Sequence, residues 1–286
     1  MPQAPVAVVA VDRVSGSQVQ ARTEDVVAVE EPLGIALGYT DAHGRQQRDW
    51  VVTMRTPGGD LELVLGFLFA EGVIQSAADV ASIRHCDSGS DAASHGNRVR
   101  VELRDSVRVP SHVFRRQTQL NSSCGVCGKS TLEDLRVCCE PVPLRAGFEV
   151  AAEVLRSLPE AVRQRQPVFG ATGGLHAVAW FERTGAFVDL AEDVGRHNAM
   201  DKLVGRALGA GRVPLREAVL FFSGRASFEM MQKAARAGVP VVAAVGAPSS
   251  MAVECAEAFG ITLAGFLRSD RFNIYAGASR IGGTEG

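Results

Sequence analysis

The sequence predicts an α/β protein, with a smaller N-terminal α+β domain and a C-terminal three-layer α/β domain. Two observations predict it. In the last hundred residues, short apolar runs alternate with helical segments, which is the pattern of buried parallel strands joined by crossover helices. The chain is also long, at 286 residues, and 46% hydrophobic, enough for a substantial core without disulfide staples.

Residues 1–20 are small, polar and aperiodic and read as a flexible tail; 21–145 form the N-terminal domain and 146–286 the C-terminal one. Val26 to Tyr39 reads as a strand interrupted at Glu30-Glu31-Pro32, and Asp41-Ala-His-Gly44 as a turn. Trp50 to Arg55 is a second strand. Pro57-Gly58-Gly59 breaks the pattern, with Asp60 the expected N-cap of a helix running to Ile74, whose Leu61, Val64, Leu65, Leu68 and Phe69 recur at helical spacing. Arg98 to Leu103 alternates as a strand. Asn121 to Ser130 is a Gly/Ser-rich mobile loop, and Pro141, Pro143 and Gly147 mark a linker before a helix over Glu149–Arg165.

Then come strands at Leu175–Phe181 and Ala186–Leu190 and a helix at Asn198–Leu208. After these, strands at Ala218–Phe222, Pro240–Val245 and Ile261–Phe266 alternate with helices at Phe228–Ala237 and Met251–Phe259. Parallel strands send their strand-to-helix loops to one edge of the sheet, where open α/β sheets bind ligands. Those loops are Ser223-Gly224-Arg225-Ala226-Ser227, Gly246 to Ser250 and Arg268 to Arg271. They carry hydroxyls, small residues and three arginines, and two precede helix N-termini, a combination suited to phosphate or pyrophosphate. Glu192 to His197 is a further candidate for that edge. Any one loop read alone is only a capped turn; the set favours a ligand.

Several function classes are excluded or weakened. A net charge of −2 does not argue for nucleic acid or a membrane surface. No run of about 18 apolar residues exists to span a bilayer. The apolar patch Val6 to Val11 follows no basic residue, unlike a secretory signal, so a cytoplasmic location is expected. Gly128-Lys129-Ser130 ends like a P-loop, but the required upstream glycine is Ser123.

The strongest chemical feature is Cys124-Gly-Val-Cys127. Two intervening residues let both sulfurs meet each other or one metal. A zinc site needs about four ligands, and the adjacent Cys138 and Cys139, or His112, complete one poorly; no metal is expected. A disulfide oxidoreductase would place the pair between a strand and a helix. A glycine-flanked loop suits a sulfur that visits two partners, and Lys129 would favour the thiolate.

These residues occur in a familiar order. Glu30-Glu-Pro-Leu33, Ala70-Glu-Gly72, Ser123-Cys-Gly-Val-Cys-Gly128, Thr172-Gly-Gly-Leu-His176, Glu192-Asp-Val-Gly-Arg-His-Asn198, Ser223-Gly-Arg-Ala-Ser227, Lys233-Ala-Ala-Arg-Ala-Gly238 and Gly265-Phe-Leu-Arg-Ser-Asp-Arg271 follow one another. The chain thereby resembles the formate dehydrogenase accessory sulfurtransferases, the FdhD family, from about Val29 to Arg280. The resemblance implies a carrier that takes persulfide sulfur from a cysteine desulfurase. It would deliver that sulfur to the molybdenum bis(molybdopterin guanine dinucleotide) cofactor before insertion into formate dehydrogenase.

The resemblance also implies a cytidine deaminase-like C-terminal fold and a homodimer. Cys124 maps to the persulfide carrier, with Cys127 as a helper, and Phe266, Leu267, Arg268, Ser269, Asp270 and Arg271 to the cofactor contacts. Ser223, Gly224, Arg225, Ser227, Ser249 and His197 are further candidates, and GDP or GTP would mimic the nucleotide part. Ser269-Asp270 departs from the family pattern. None of the six histidines begins the H-x-E of a zinc deaminase, so shared fold does not bring deaminase chemistry. Two alternatives stay open: a thiol–disulfide oxidoreductase, and a cofactor chaperone without sulfur chemistry.

Overall fold

In the computed structural model, which describes residues 4–86, 96–110, 112–115, 141 and 148–283, the chain opens with a hairpin where a tail is expected. Strand β1 (Val6–Ser15) pairs antiparallel with β2 (Gln18–Ala28). The two-residue connection Gly16-Ser17, with Gly16 at φ +61°, closes a hairpin, and the valine-rich β1 supplies strand propensity. β3 (Glu31–Asp41) and β4 (Gly44–Arg55) form a second hairpin, so the single expected strand over Val26–Tyr39 is divided at Val29-Glu30.

Helix α1 (Asp60–Ala70) follows. Its N-cap is Gly59, in the left-handed region, and not Asp60. The Asp60 carboxylate instead takes two hydrogen bonds of 3.0 Å from the buried Arg55 guanidinium. β5 (Val80–His85) and β6 (Arg98–Leu103) complete a four-stranded sheet ordered β4-β3-β6-β5. After the short helix α2 (His112–Arg115), the chain resumes at β7 (Val150–Ala151), α3 (Ala152–Arg163) and α4 (Pro167–Thr172).

The second sheet has six strands. β8 (His176–Glu182) and β9 (Phe187–Asp193) lead into α5 (Arg196–Gly209). β10 (Ala218–Phe222), α6 (Phe228–Arg236), β11 (Val241–Ala244), α7 (Ser250–Phe259) and β12 (Thr262–Gly265) then form the expected βαβαβ run, with parallel pairing throughout. β13 (Asn273–Ala276) adds antiparallel to β12, giving the order β13-β12-β11-β10-β8-β9. β14 (Ile281–Gly282) returns to pair with β7.

Period-two alternation assigns the faces. Ala177, Ala179, Phe181, Val219, Phe221 and Ala243 pack against α3. Val178, Trp180, Leu220, Phe222 and Val242 face the opposite way, into a core with α5, α6, α7 and α1. That core continues through α1 to Leu33, Ile35, Val99 and Val101 of the four-stranded sheet, so residues on both sides of position 146 share it. The α1–α5 crossing is close because two glycines meet there. A Cβ on Gly66 would lie 2.0 Å from the Asp201 carbonyl oxygen, and one on Gly205 would lie 1.9 Å from that of Glu62. No helix among the described residues is long and apolar enough to cross a membrane.

Two buried ion pairs hang on α5. The Lys202 ammonium lies 2.7 Å from Asp193 and donates to the Thr56 carbonyl at 2.8 Å. Asp193 also accepts from the backbone N–H of Thr56 and of Gly195 and from the Asn198 amide. Lys233 reaches Asp201 at 2.7 Å. Burial pushes the Asp201 carboxyl up to about 6, against the pull of Lys233.

Because that folded value exceeds the unfolded one, folding takes up a proton between the two. Stability should therefore fall as pH rises from about 4 to about 6, on the order of 2–3 kcal/mol from this residue. Urea unfolding of the Asp201→Asn variant across that range should lack this slope.

Candidate functional site

The strands β10, β11 and β12 end on one edge because they are parallel. β9 ends there too, since β8 runs antiparallel to both β9 and β10. Every residue of β10, β11 and β12 is buried, so the ladder uses their polar groups internally and polar side chains emerge only at the turns.

The turns are hydrogen-bonded to one another. The Gly246 N–H donates to the Gly224 carbonyl (2.9 Å), Ser249 to Ala226 (3.1 Å), Phe266 to Gly246 (3.2 Å) and Leu267 to Ala244 (3.0 Å). The three loops thus form one continuous ledge.

At the β12 end, Phe266 is 44% exposed and adopts φ +53°. A bulky residue in the left-handed region costs on the order of 1–2 kcal/mol, which the surrounding ledge must offset. Phe266, Arg268, Arg271 and Asn273 line a shallow cavity of about 290 Å³. Arg268 braces the turn through its guanidinium, which donates to the carbonyls of Val245 (2.9 Å) and Leu267 (2.7 Å). Arg271 is exposed and 3.3 Å from Asp270, also exposed, as is Ser269. Leu267 differs from its neighbours. It is fully buried in the sheet core, its N–H donates to the Ala244 carbonyl and its own carbonyl accepts from Arg268, so it supports the ledge from beneath and presents no surface to a ligand. The aromatic face, two guanidiniums and an amide together suit a planar base carrying a phosphate chain.

The other predicted residues divide by role. The Ser223 hydroxyl oxygen accepts from the Ala177 N–H at 2.8 Å, a bond that fixes the turn to β8. Ser249 caps α7 by accepting from the Ala252 N–H at 3.3 Å. Arg225 is exposed at the ledge. Ser227 makes no capping bond to α6 and donates to Glu229 at 3.3 Å. Glu229 also lies 3.1 Å from His197 Nε2. Burial pulls the His197 ring below its ordinary pKa, opposed by the Glu229 hydrogen bond and assisted by Lys233 and Arg196. His176 is likewise lowered, first by burial and then by Arg196, with Asp193 opposing. Gly224 leaves room for that ring, since a Cβ there would lie 3.2 Å from His176 Nδ1.

Cys124 and Cys127 lie outside the described residues, as do Lys129, Cys138 and Cys139. Among the described residues, no three His, Cys, Asp or Glu side chains are grouped to hold a metal. Two residues of the edge escape sequence reasoning. Glu229 is signalled only by its place two residues after the hydroxyl of Ser227, and Arg196 is masked by its neighbour His197.

The model of the FdhD/NarQ family matches residues 28–282. The chain is 48% identical over 273 residues to a sulfur carrier protein FdhD of Mycolicibacterium paratuberculosis, covering 95% of this chain and 97% of that one. It is 45% identical over 271 residues to the sulfur carrier protein FdhD of Streptomyces coelicolor, covering 94% and 93%. It shares its fold, with a TM-score of 0.73 and 24% identity, with a crystal structure from Desulfotalea psychrophila provisionally described as a formate dehydrogenase accessory protein. That match covers 97% of this chain and 100% of the other.

Proposed function

The chain belongs to the FdhD/NarQ family, and from that premise we propose that it is a cytoplasmic sulfurtransferase serving formate dehydrogenase. In this reading the Cys124 thiolate attacks the terminal sulfur of a cysteine desulfurase persulfide. A sulfur–sulfur bond forms on Cys124 as the desulfurase bond breaks, and the desulfurase leaves as its thiol. Cys127 assists or resolves the persulfide. The molybdenum bis(molybdopterin guanine dinucleotide) cofactor is the acceptor substrate. It is held at the carboxyl edge of the six-stranded sheet, in a homodimer whose symmetry matches its two nucleotides.

One observation carries the substrate side of this reading. An exposed Phe266 at φ +53° stands beside Arg268 and Arg271 on a ledge built from three hydrogen-bonded turns. Backbone strain of this kind persists where function uses it.

The sulfur side is tested by mass spectrometry of the protein after incubation with a cysteine desulfurase and cysteine. Addition of one sulfur atom on Cys124 is expected. An internal Cys124–Cys127 disulfide alone would favour a thiol–disulfide oxidoreductase. Restoration of formate dehydrogenase activity by Cys124→Ala would favour a chaperone without sulfur chemistry.

A further inference from the structure

The carboxyl edge extends beyond the Phe266–Arg271 turn. Four strand spacings separate β12 from β9, or roughly 19 Å, further than one nucleoside diphosphate reaches. At the β9 end stands Arg196, the first residue of the 14-residue helix α5, whose first turn carries no acidic side chain. Arg196 is half-buried. Its Nε is fully buried without a partner, and the guanidinium makes no hydrogen bond or ion pair among the described residues.

A guanidinium stays charged, so it cannot relieve that burial by losing a proton. The nearby carboxylates are engaged elsewhere. Asp193 is bound by Lys202, Asn198 and two backbone N–H groups, and Glu229 by His197 and Ser227. His176 is paired across β8 and β9 with Asp193, which lies three residues before Arg196 and four before His197, and the Arg196 charge disfavours protonation of both rings. The rings themselves make no hydrogen bond among the described residues other than that of His197 to Glu229.

We propose that Arg196, His176 and His197 form a second oxyanion subsite, at the β9 end of the carboxyl edge, which takes a phosphoryl group. The inference rests on the reading of this edge as the seat of a phosphate-bearing cofactor, and adds a contact point remote from Arg268 and Arg271. The planar guanidinium supplies paired donors to two phosphate oxygens. The half-buried His176 ring, which packs against the Cβ-less Gly224, supplies a third donor. An oxyanion beside the rings favours their protonated forms, so their titration reports its presence. The phosphoryl group has two possible sources, a diphosphate arm of the cofactor or free phosphate.

The test uses the full chain, with the imidazole resonances followed by proton–carbon NMR during titration with inorganic phosphate, pyrophosphate and GDP. Saturable shifts of His176 and His197, and upward movement of their titration midpoints, are expected with phosphate. Arg196→Gln should weaken that binding by about tenfold or more, with partial rescue by Arg196→Lys. GDP added afterwards should displace the phosphate if the subsite takes a diphosphate arm and leave the shifts in place if it takes free phosphate. Tighter binding of pyrophosphate than phosphate assigns the subsite to a diphosphate arm; equal binding assigns it to free phosphate.

The proposal is overturned by an absence of saturable shifts in the wild type or by Arg196→Gln binding phosphate like the wild type. Intact phosphate shifts in a protein that fails to bind GDP would instead sink the cofactor reading and leave the subsite standing.

Discussion

Replacing Lys202 with methionine is expected to lower the unfolding free energy by about 3–5 kcal/mol, the loss associated with stranding one partner of a buried ion pair. The Lys202 side chain is 5% exposed and that of Asp193 is fully buried. Methionine fills much of the same volume, so the loss would come from charge and hydrogen bonding and not from a cavity. It would leave a carboxylate in the interior with only the backbone N–H groups of Thr56 and Gly195 and the Asn198 amide to satisfy it. It would also remove the donor to the Thr56 carbonyl.

Thr56 belongs to the segment entering α1, while Asp193 ends β9, so the pair joins the four-stranded sheet to the carboxyl edge of the six-stranded one. Urea unfolding checks the prediction, with the midpoint falling and the slope unchanged if the transition stays two-state. Restoring much of the loss with Asp193→Asn in the Lys202→Met background would identify the stranded charge as the cause. A midpoint unchanged in Lys202→Met would show that the pair contributes nothing net.

How much of this was legible beforehand follows from chemistry. The βαβαβ run could be read closely because its strands are short, mostly apolar blocks (Ala218–Phe222, Val241–Ala244 and Thr262–Gly265) set off by Gly, Ser or Pro. Buried parallel strands need no alternation and announce themselves by their punctuation. The turns carrying Arg225, Ser249 and Arg268 could be placed on one edge for the same reason: once the strands are parallel, topology decides where the loops go.

The β1–β2 hairpin was hidden because its exposed positions mix Val with Gln, Arg and Thr, which blurs the two faces. β5 and β13 were missed because each is an edge strand with little burial. Leu267 could be assigned to the ligand from its motif, but only packing reveals that the side chain turns into the core. The partners of Arg196 and Glu229 depend on contacts between β9, α5 and α6 that no local spacing encodes.

Separating the thiol from the ledge should produce opposite defects in two sets of variants. Cys124→Ala is expected to abolish sulfur loading by a cysteine desulfurase while leaving GDP affinity within about twofold, because a methyl group cannot carry a persulfide and Phe266, Arg268 and Arg271 are left unchanged. Arg268→Ala combined with Arg271→Ala should do the reverse. Each hydrogen bond to a charged group is worth about 1.5–3 kcal/mol, so loss of both guanidiniums should weaken GDP binding by about 100-fold or more, with sulfur loading retained.

Arg268 also braces the Val245 and Leu267 carbonyls, so the double variant removes two intramolecular bonds as well. Arg271→Ala alone controls for this, since its side chain is exposed and its ion pair is with the similarly exposed Asp270. A tenfold weakening from Arg271→Ala, with the thermal midpoint unchanged, would place the guanidinium at the phosphates and not in the scaffold. Isothermal titration with GDP, run beside mass spectrometry of Cys124, reads both arms. Loss of sulfur loading in the arginine variants would mean that the ledge and the thiol act in one step, and the separate carrier and acceptor sites proposed here would have to be abandoned.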